Sequence, residues 1–293
     1  IMVVVKRKFW KNTFLVIKAN YIALAGFGTM YRLVPFIILA LMCTILFIIF
    51  PGNNDLPAIS HEIFSKPTFL ETSGYLVKLI FVIPDSVTKW LTIGLGVVIN
   101  VFATGLLQGG ILNFVLSESG HDDTSQKFTG GITKKGFRMV GYQAQIFPIV
   151  LAIHGLAAFV SIALPWVAET WSPWTIFLFE MVAFTVVCIV TTPLLFAPFY
   201  YFNDQSFMES LLASVKSIWP WYLELFAVQL VLGSFCSLLG ILISFLPLEL
   251  GLDKIFFVFL SIVTWSAFTF SIVATASAFR MVSGGQETES AVS

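Results

Sequence analysis

The stretch LVPFIILALMCTILFIIF, residues 33–50, carries no charged side chain and decides the fold class. A helix rises about 1.5 Å per residue, so roughly 20 apolar residues cross a hydrocarbon core of about 30 Å. Five more charge-free stretches follow the same rule, at residues 90–117, 139–168, 181–203, 225–248 and 255–279. Turn signals separate them, among them Pro51-Gly52-Asn53-Asn54, Ser172-Pro173, Asn203-Asp204 and Gly251-Leu252-Asp253. The pattern predicts an all-α, polytopic membrane protein with six transmembrane helices in a single transmembrane domain. Residues 69–83, where Glu71 and Lys78 sit among apolar neighbours, suit an interfacial helix better than a seventh span.

Composition agrees. Of 293 residues, 58% are hydrophobic and 11% charged, and the mean hydropathy is +0.92. Soluble domains carry about a quarter charged residues, so a soluble core could not hide this much apolar surface. The formal net charge is zero, which gives no footing for a nucleic-acid partner. Membrane lipids and other membrane-protein subunits are the expected partners. Cys43, Cys188 and Cys236 all fall in apolar runs and read as small core residues, not as a disulfide or metal framework. The basic opening Lys6-Arg7-Lys8 resembles the start of a signal peptide, but Lys18 and Asn20 interrupt the apolar segment that should follow. The N-terminus is therefore expected to be retained.

Orientation follows from the basic residues beside the spans. With six spans, Lys66, Lys78, Lys89 and Lys254 fall on one side and the other twelve of the 16 Lys and Arg on the side of both termini. This predicts a multi-pass protein of the cell (inner) membrane with both termini cytoplasmic. Trp10, Trp90, Trp166, Trp171, Trp174, Trp219 and Trp221 lie near span ends, where indole anchors at the headgroup level.

Three segments share one plan: Phe9 to Lys18, Phe128 to Phe137 and Phe207 to Ser217. Each is short, amphipathic and partly basic, and each feeds a span that ends near a proline, at Phe50-Pro51, Leu164-Pro165 and Leu246-Pro247. The reading is three tandem two-helix units, about 7–117, 126–203 and 205–282, each preceded by a cytoplasmic interfacial helix, with a tail at 284–293. In the second copy Gly130, Gly131 and Gly136 lower helix propensity. In the third, Ser206, Ser210, Ser214 and Ser217 fall on one face and Phe207, Leu211, Val215 and Ile218 on another. Same-orientation repeats differ from the inverted repeats of many transporters.

The third unit runs from Pro193-Leu194-Leu195-Phe196-Ala197-Pro198 through Ser206 to Lys216 and closes on Ala278-Phe279-Arg280-Met281-Val282-Ser283-Gly284. Over roughly the last 120 residues it resembles bacterial integral membrane families similar to the membrane domain of some glycerophosphodiester phosphodiesterases. The resemblance implies a fold plan and no activity, because the chain holds no phosphodiesterase catalytic domain. No functional residue carries over.

Ionisable groups at membrane depth are functional candidates. His154 lies near the middle of the third stretch, and Glu180 one to two turns from the outer end of the fourth. His154 reads as a proton-linked switch or ligand contact, or as a neutral imidazole bonded to a neighbouring helix; Glu180 reads as a partner of His154 or a cation ligand, or as an interfacial carboxylate reaching headgroup water. Their expected depth offset of roughly 5–10 Å argues against a direct pair. Glu224, after Trp219-Pro220-Trp221, is shallower. Asn100 and Gln108, with Asn113, Gln143, Gln145 and Gln229, read as amide glue between helices, and Gly105-Leu106-Leu107-Gln108-Gly109 as a close-contact motif. Pro148, Pro193 and Pro198 predict kinks. His121-Asp122-Asp123 has metal-ligand residue types without a partner cluster. No catalytic, cofactor-binding or metal motif appears, so no catalytic residue, cofactor or metal is nominated. The expectation is a non-enzymatic structural or accessory subunit, or a lipid-associated factor. A small-molecule or ion transporter is the alternative.

Overall fold

The structure is a computed structural model that describes residues 2–50, 80–117 apart from 82, 124–168, 173–244, and 267–283 apart from 268. About half of the sixth predicted span, residues 51–79 of the first outer loop with most of its 69–83 segment, His121-Asp122-Asp123 and the tail lie outside the described residues. The described chain is all helical. Its long elements are α1 (Met2–Ile49), α2 (Val87–Leu116), α3 (Thr124–Ala168) and α4 (Pro173–Thr191). A 3-10 turn at Thr192–Leu194 leads to the short α5 (Ala197–Phe202), followed by α6 (Phe207–Ser217). A second 3-10 turn at Trp219–Trp221 opens α7 (Tyr222–Ser244), and residues 269–283 form a last helix, α8. Among the described residues four helices are long and apolar enough to cross a membrane, or five if the bent pair α6–α7 counts as one span.

The outer surface fits that reading. Ile22 is 88% exposed, Leu223 71% and Leu91 68%, with many other large apolar side chains bare along the long helices. Exposed apolar area on this scale belongs against hydrocarbon. The core lies toward the end where the first half of α1, the last turns of α2, the first part of α3, α5, α6 and α8 converge. There Phe9 packs on Trp221 with ring centroids 4.9 Å apart, Phe27 stacks on Phe128 at 4.0 Å, and Phe279 meets Phe196, Phe199 and Tyr200. Buried Ala274, Ala276 and Ala278 bring α8 close to its neighbours. Trp221 was expected at the headgroup level, but it is 5% exposed and belongs to this core. Trp90 and Trp219 are both more than half exposed. Cys43 and Cys188 are buried, as small apolar residues should be.

The three predicted interfacial segments take three different forms. The first is the leading half of α1, set off from the span by a break at Asn20, whose φ of −127° and ψ of 19° leave the helical region. The Asn20 amide donates to the Val16 carbonyl at 3.2 Å, so the side chain satisfies a group that the break leaves behind. The second segment is no separate helix, because residues 128–137 continue without interruption into the rest of α3. Gly131 and Gly136 are contact points within this continuous helix. A Cβ on Gly131 would lie 2.5 Å from the Gly109 carbonyl oxygen, and one on Gly109 would lie 2.9 Å from the Gly136 Cα. The third segment is α6, a distinct helix that meets α7 at 52°.

Helix α6 starts on a capping box. The Ser206 hydroxyl accepts from the Glu209 N–H, and the Glu209 carboxylate accepts from the Ser206 N–H at 3.0 Å and its hydroxyl at 2.7 Å. These bonds hold the Glu209 carboxyl below its usual range. Its serine face points inward, with Ser210 and Ser214 fully buried, while Met208 and Leu212 are exposed. The amphipathic pattern is therefore the reverse of a soluble surface helix.

Candidate functional site

The polar candidates on the spans fall into two sets. Gln108 on α2 and Gln143 on α3 pair directly: the Gln143 side-chain amide donates to the Gln108 Oε1 at 2.6 Å and reaches the Tyr31 hydroxyl on α1 at 3.3 Å. One amide chain thus ties three long helices. Nearby, the Asn113 amide donates to the Lys127 carbonyl at 2.6 Å, again joining α2 to α3. Asn100 behaves differently. Its backbone carbonyl accepts from the Thr104 hydroxyl at 2.6 Å, yet its buried Oδ1 has no hydrogen-bond partner among the described residues. Glu224 is half-buried in the first turn of α7, where the positive end of the helix dipole favours a carboxylate. His154 lies on α3 and Glu180 on α4, but the side chains of both are outside the described residues. The structure brings Gln108 together with Gln143 and Tyr31.

If this chain is structural glue, Gln143→Leu should lower stability by about 0.6–1.7 kcal/mol, in line with interhelical hydrogen bonds in bilayers. Unfolding in mixed detergent micelles measures it. A loss well beyond that range, or a stabilisation, would mean the amide does something other than join helices.

The second set surrounds the broken end of the fourth span. Pro193 has no N–H and cannot continue an α-helix behind it, so the chain tightens into a 3-10 turn. Pro198 repeats the interruption at the start of α5. The fully buried Ser214 on α6 repairs the break: its hydroxyl donates to the Pro193 carbonyl at 2.7 Å and accepts from the Phe196 N–H at 3.0 Å. The Thr192 hydroxyl sits between the Cys188 carbonyl at 2.6 Å and the Gln229 side-chain oxygen at 2.7 Å, linking the break to α7.

A charged latch closes the same end. Lys135 Nζ lies 2.6 Å from Asp204, in the turn between α5 and α6, and Arg138 Nε lies 3.6 Å from the other carboxylate oxygen. Arg138 also donates to the Tyr201 and Gln205 carbonyls, at 2.6 Å each, and its guanidinium lies 4.7 Å from the Tyr201 ring centroid. The hydrogen bond from Lys135 holds the Asp204 carboxyl below its usual range. Asp204 also has a φ of 72°, a left-handed conformation that Asp and Asn tolerate better than other side chains. In the sequence Lys135 and Arg138 count toward orientation, Lys135 also toward the basic second segment, and Asn203-Asp204 marks only a turn, so nothing there pairs them. No group of three or more His, Cys, Asp or Glu residues that could hold a metal ion comes together among the described residues. In comparisons with known proteins, the chain matches no family model, no curated protein and no solved structure.

Proposed function

We propose that the protein is a non-enzymatic integral membrane protein, a structural or accessory subunit or a lipid-associated factor. The observation that carries this reading is the use made of its intramembrane polar groups. Gln108, Gln143 and Tyr31 bond to one another across three helices, and Thr192 with Gln229 across two more. In transporters, broken spans leave backbone groups turned toward a substrate. Here the groups exposed by the break at Pro193 are engaged by Ser214. These polar groups hold helices together, while many large apolar side chains of the long helices face outward.

The finer architecture belongs to the same proposal: six spans, three tandem units of unequal construction, and both termini on the cytoplasmic face of the cell (inner) membrane. The bias of basic residues supports the orientation, and the likeness to membrane domains attached to phosphodiesterases is one of fold plan. Replacing Cys43, Cys188 and Cys236 by alanine allows single cysteines to report sidedness. A cysteine at Asn53 should react with an impermeant thiol reagent applied to intact cells, and one at Gln286 should not. The reverse pattern would invert the topology.

The function itself is tested by purification in mild detergent and reconstitution into liposomes. Native mass spectrometry should show retained lipid or a membrane subunit, with ion and small-solute flux at the level of empty liposomes. A flux abolished by His154→Asn or Glu180→Gln would overturn the reading in favour of transport.

A further inference from the structure

Helix α1 is longer than a bilayer needs. Its 48 residues reach about 72 Å at 1.5 Å per residue, against a hydrocarbon core of about 30 Å. The stretch after the break at Asn20 spans that core by itself, so the part before the break lies outside the hydrocarbon. The inner side of this leading part is fixed. Phe9 and Thr13 are buried, and Phe9 packs on Trp221 at the bend between α6 and α7. Its outer side is uncovered and of mixed character. Lys11 and Lys18, both exposed and seven residues apart, fall within about 20° of each other around the helix. Phe14 and Leu15 flank that row, each more than half exposed. The two lysines are uncommitted: no carboxylate of the described residues pairs with either. Lys135 and Arg138, by contrast, are engaged by Asp204. The local sequence offers no partner either, because residues 1–54 contain no Asp or Glu, and Lys6-Arg7-Lys8 add positive charge to the same helix.

We propose that the outer face of this leading helix rests on acidic phospholipids of the leaflet beside it, with Lys11 and Lys18 as the headgroup contacts. A basic cluster on an amphipathic helix next to a span is drawn to an anionic leaflet. Phe14 and Leu15 sink to the boundary of the acyl chains, while the lysine stems lie along the same apolar layer and carry their ammonium groups up to the phosphates. A protein partner suits this face less well. Lysine is depleted from the cores of protein interfaces, and two uncommitted ammonium groups in the middle of one would each need a carboxylate brought to it. A bilayer interface supplies the apolar layer and the negative charge together. This inference rests on the lipid-associated form of the proposed function and names the lipid class and the surface that meets it.

The test uses the full chain with Cys43, Cys188 and Cys236 replaced by alanine and the fluorophore bimane attached at Leu15→Cys. The bilayer holds equal parts phosphatidylglycerol and phosphatidylcholine, and one lipid at a time carries bromine near the headgroup end of its acyl chains, where it quenches adjacent bimane. Brominated phosphatidylglycerol should quench more than brominated phosphatidylcholine. Lys11→Gln and Lys18→Gln should each weaken that preference about fivefold, the scale of one lysine near an anionic leaflet. Lys11→Arg with Lys18→Arg should keep it. Bimane at Met208→Cys gives the comparison: the outer face of α6 exposes Glu209 as well as Lys216, and should show no preference. Equal quenching by the two lipids at Leu15, or the same preference at Met208, would overturn the site. Quenching by neither lipid at Leu15 would overturn the bilayer as the occupant and give the face to water or to another chain. Ion and solute flux through the same liposomes reads the proposed function separately, so either reading can fail alone.

Discussion

Gly131→Ala should destabilise the protein by about 3 kcal/mol, the upper part of the range for forcing an extra methyl into a closed contact. The added Cβ would lie 2.5 Å from both the Gly109 carbonyl oxygen and the Asn113 Cβ, and 2.9 Å from the Gly110 Cα. Two of these atoms are backbone and cannot rotate away, so relief requires α2 and α3 to separate. Separation would also pull the Asn113 amide from the Lys127 carbonyl and the Gln143 amide from Gln108. The control is Gly94→Ala, where nothing stands within 4 Å of the new Cβ. There the gain in helix propensity should leave stability unchanged or raise it by up to about 1 kcal/mol. Unfolding in mixed micelles compares the two. Equal effects of both substitutions would show that the α2–α3 contact is looser than the structure has it.

The contrast marks what the sequence could disclose. The small-residue spacing of Gly105 and Gly109 announced a close helix contact, because that motif acts through the absence of side chains on one helix. Its partner surface is not legible in the same way. Gly130, Gly131 and Gly136 lower helix propensity, but propensity describes an isolated segment and contains nothing of a neighbour. In the fold, Gly131 and Gly136 meet α2, and the hairpin gains a contact that outweighs the lost propensity. The serines of α6 show the same gap. Their shared face was legible, but whether it met water or protein depended on the broken strand of chain lying against it. Trp221 resembled the other tryptophans in composition and position, and only the arrival of Phe9 from the far end of the sequence made it a core residue. The apolar runs that the described residues cover and the breaks at Pro193 and Pro198 are local signals and carry through, whereas Pro148 lies inside the uninterrupted α3. Facing partners separated by tens of residues, Gln108 and Gln143 among them, are not legible in this way.

Ser214→Ala should lower stability by about 3 kcal/mol, although it removes a single oxygen atom. The hydroxyl serves two backbone groups at once, as donor to the Pro193 carbonyl and acceptor from the Phe196 N–H. Both belong to the stretch where Pro193 and Pro198 interrupt the regular ladder, so no neighbouring turn offers a replacement. The site is fully buried at Ser214 and Phe196, and water reaches it poorly. Leaving a buried donor or acceptor unmade costs about 1–3 kcal/mol each, which sets the estimate. Two other serines on the same helix provide the comparison. Ser210 is as deeply buried, but its hydroxyl only bonds back to the Ser206 carbonyl at 2.7 Å, and Ser217 does the same to Ala213. Those carbonyls already belong to the helix, so Ser210→Ala and Ser217→Ala should cost less than about 1 kcal/mol. Burial alone would rank Ser210 and Ser214 together. If the three substitutions prove equal, the break in the fourth span is held by packing of Phe196, Phe199 and Phe279 and not by the serine bridge. If Ser214→Ala stands apart, α6 acts as the clamp that keeps a proline-broken span in one shape.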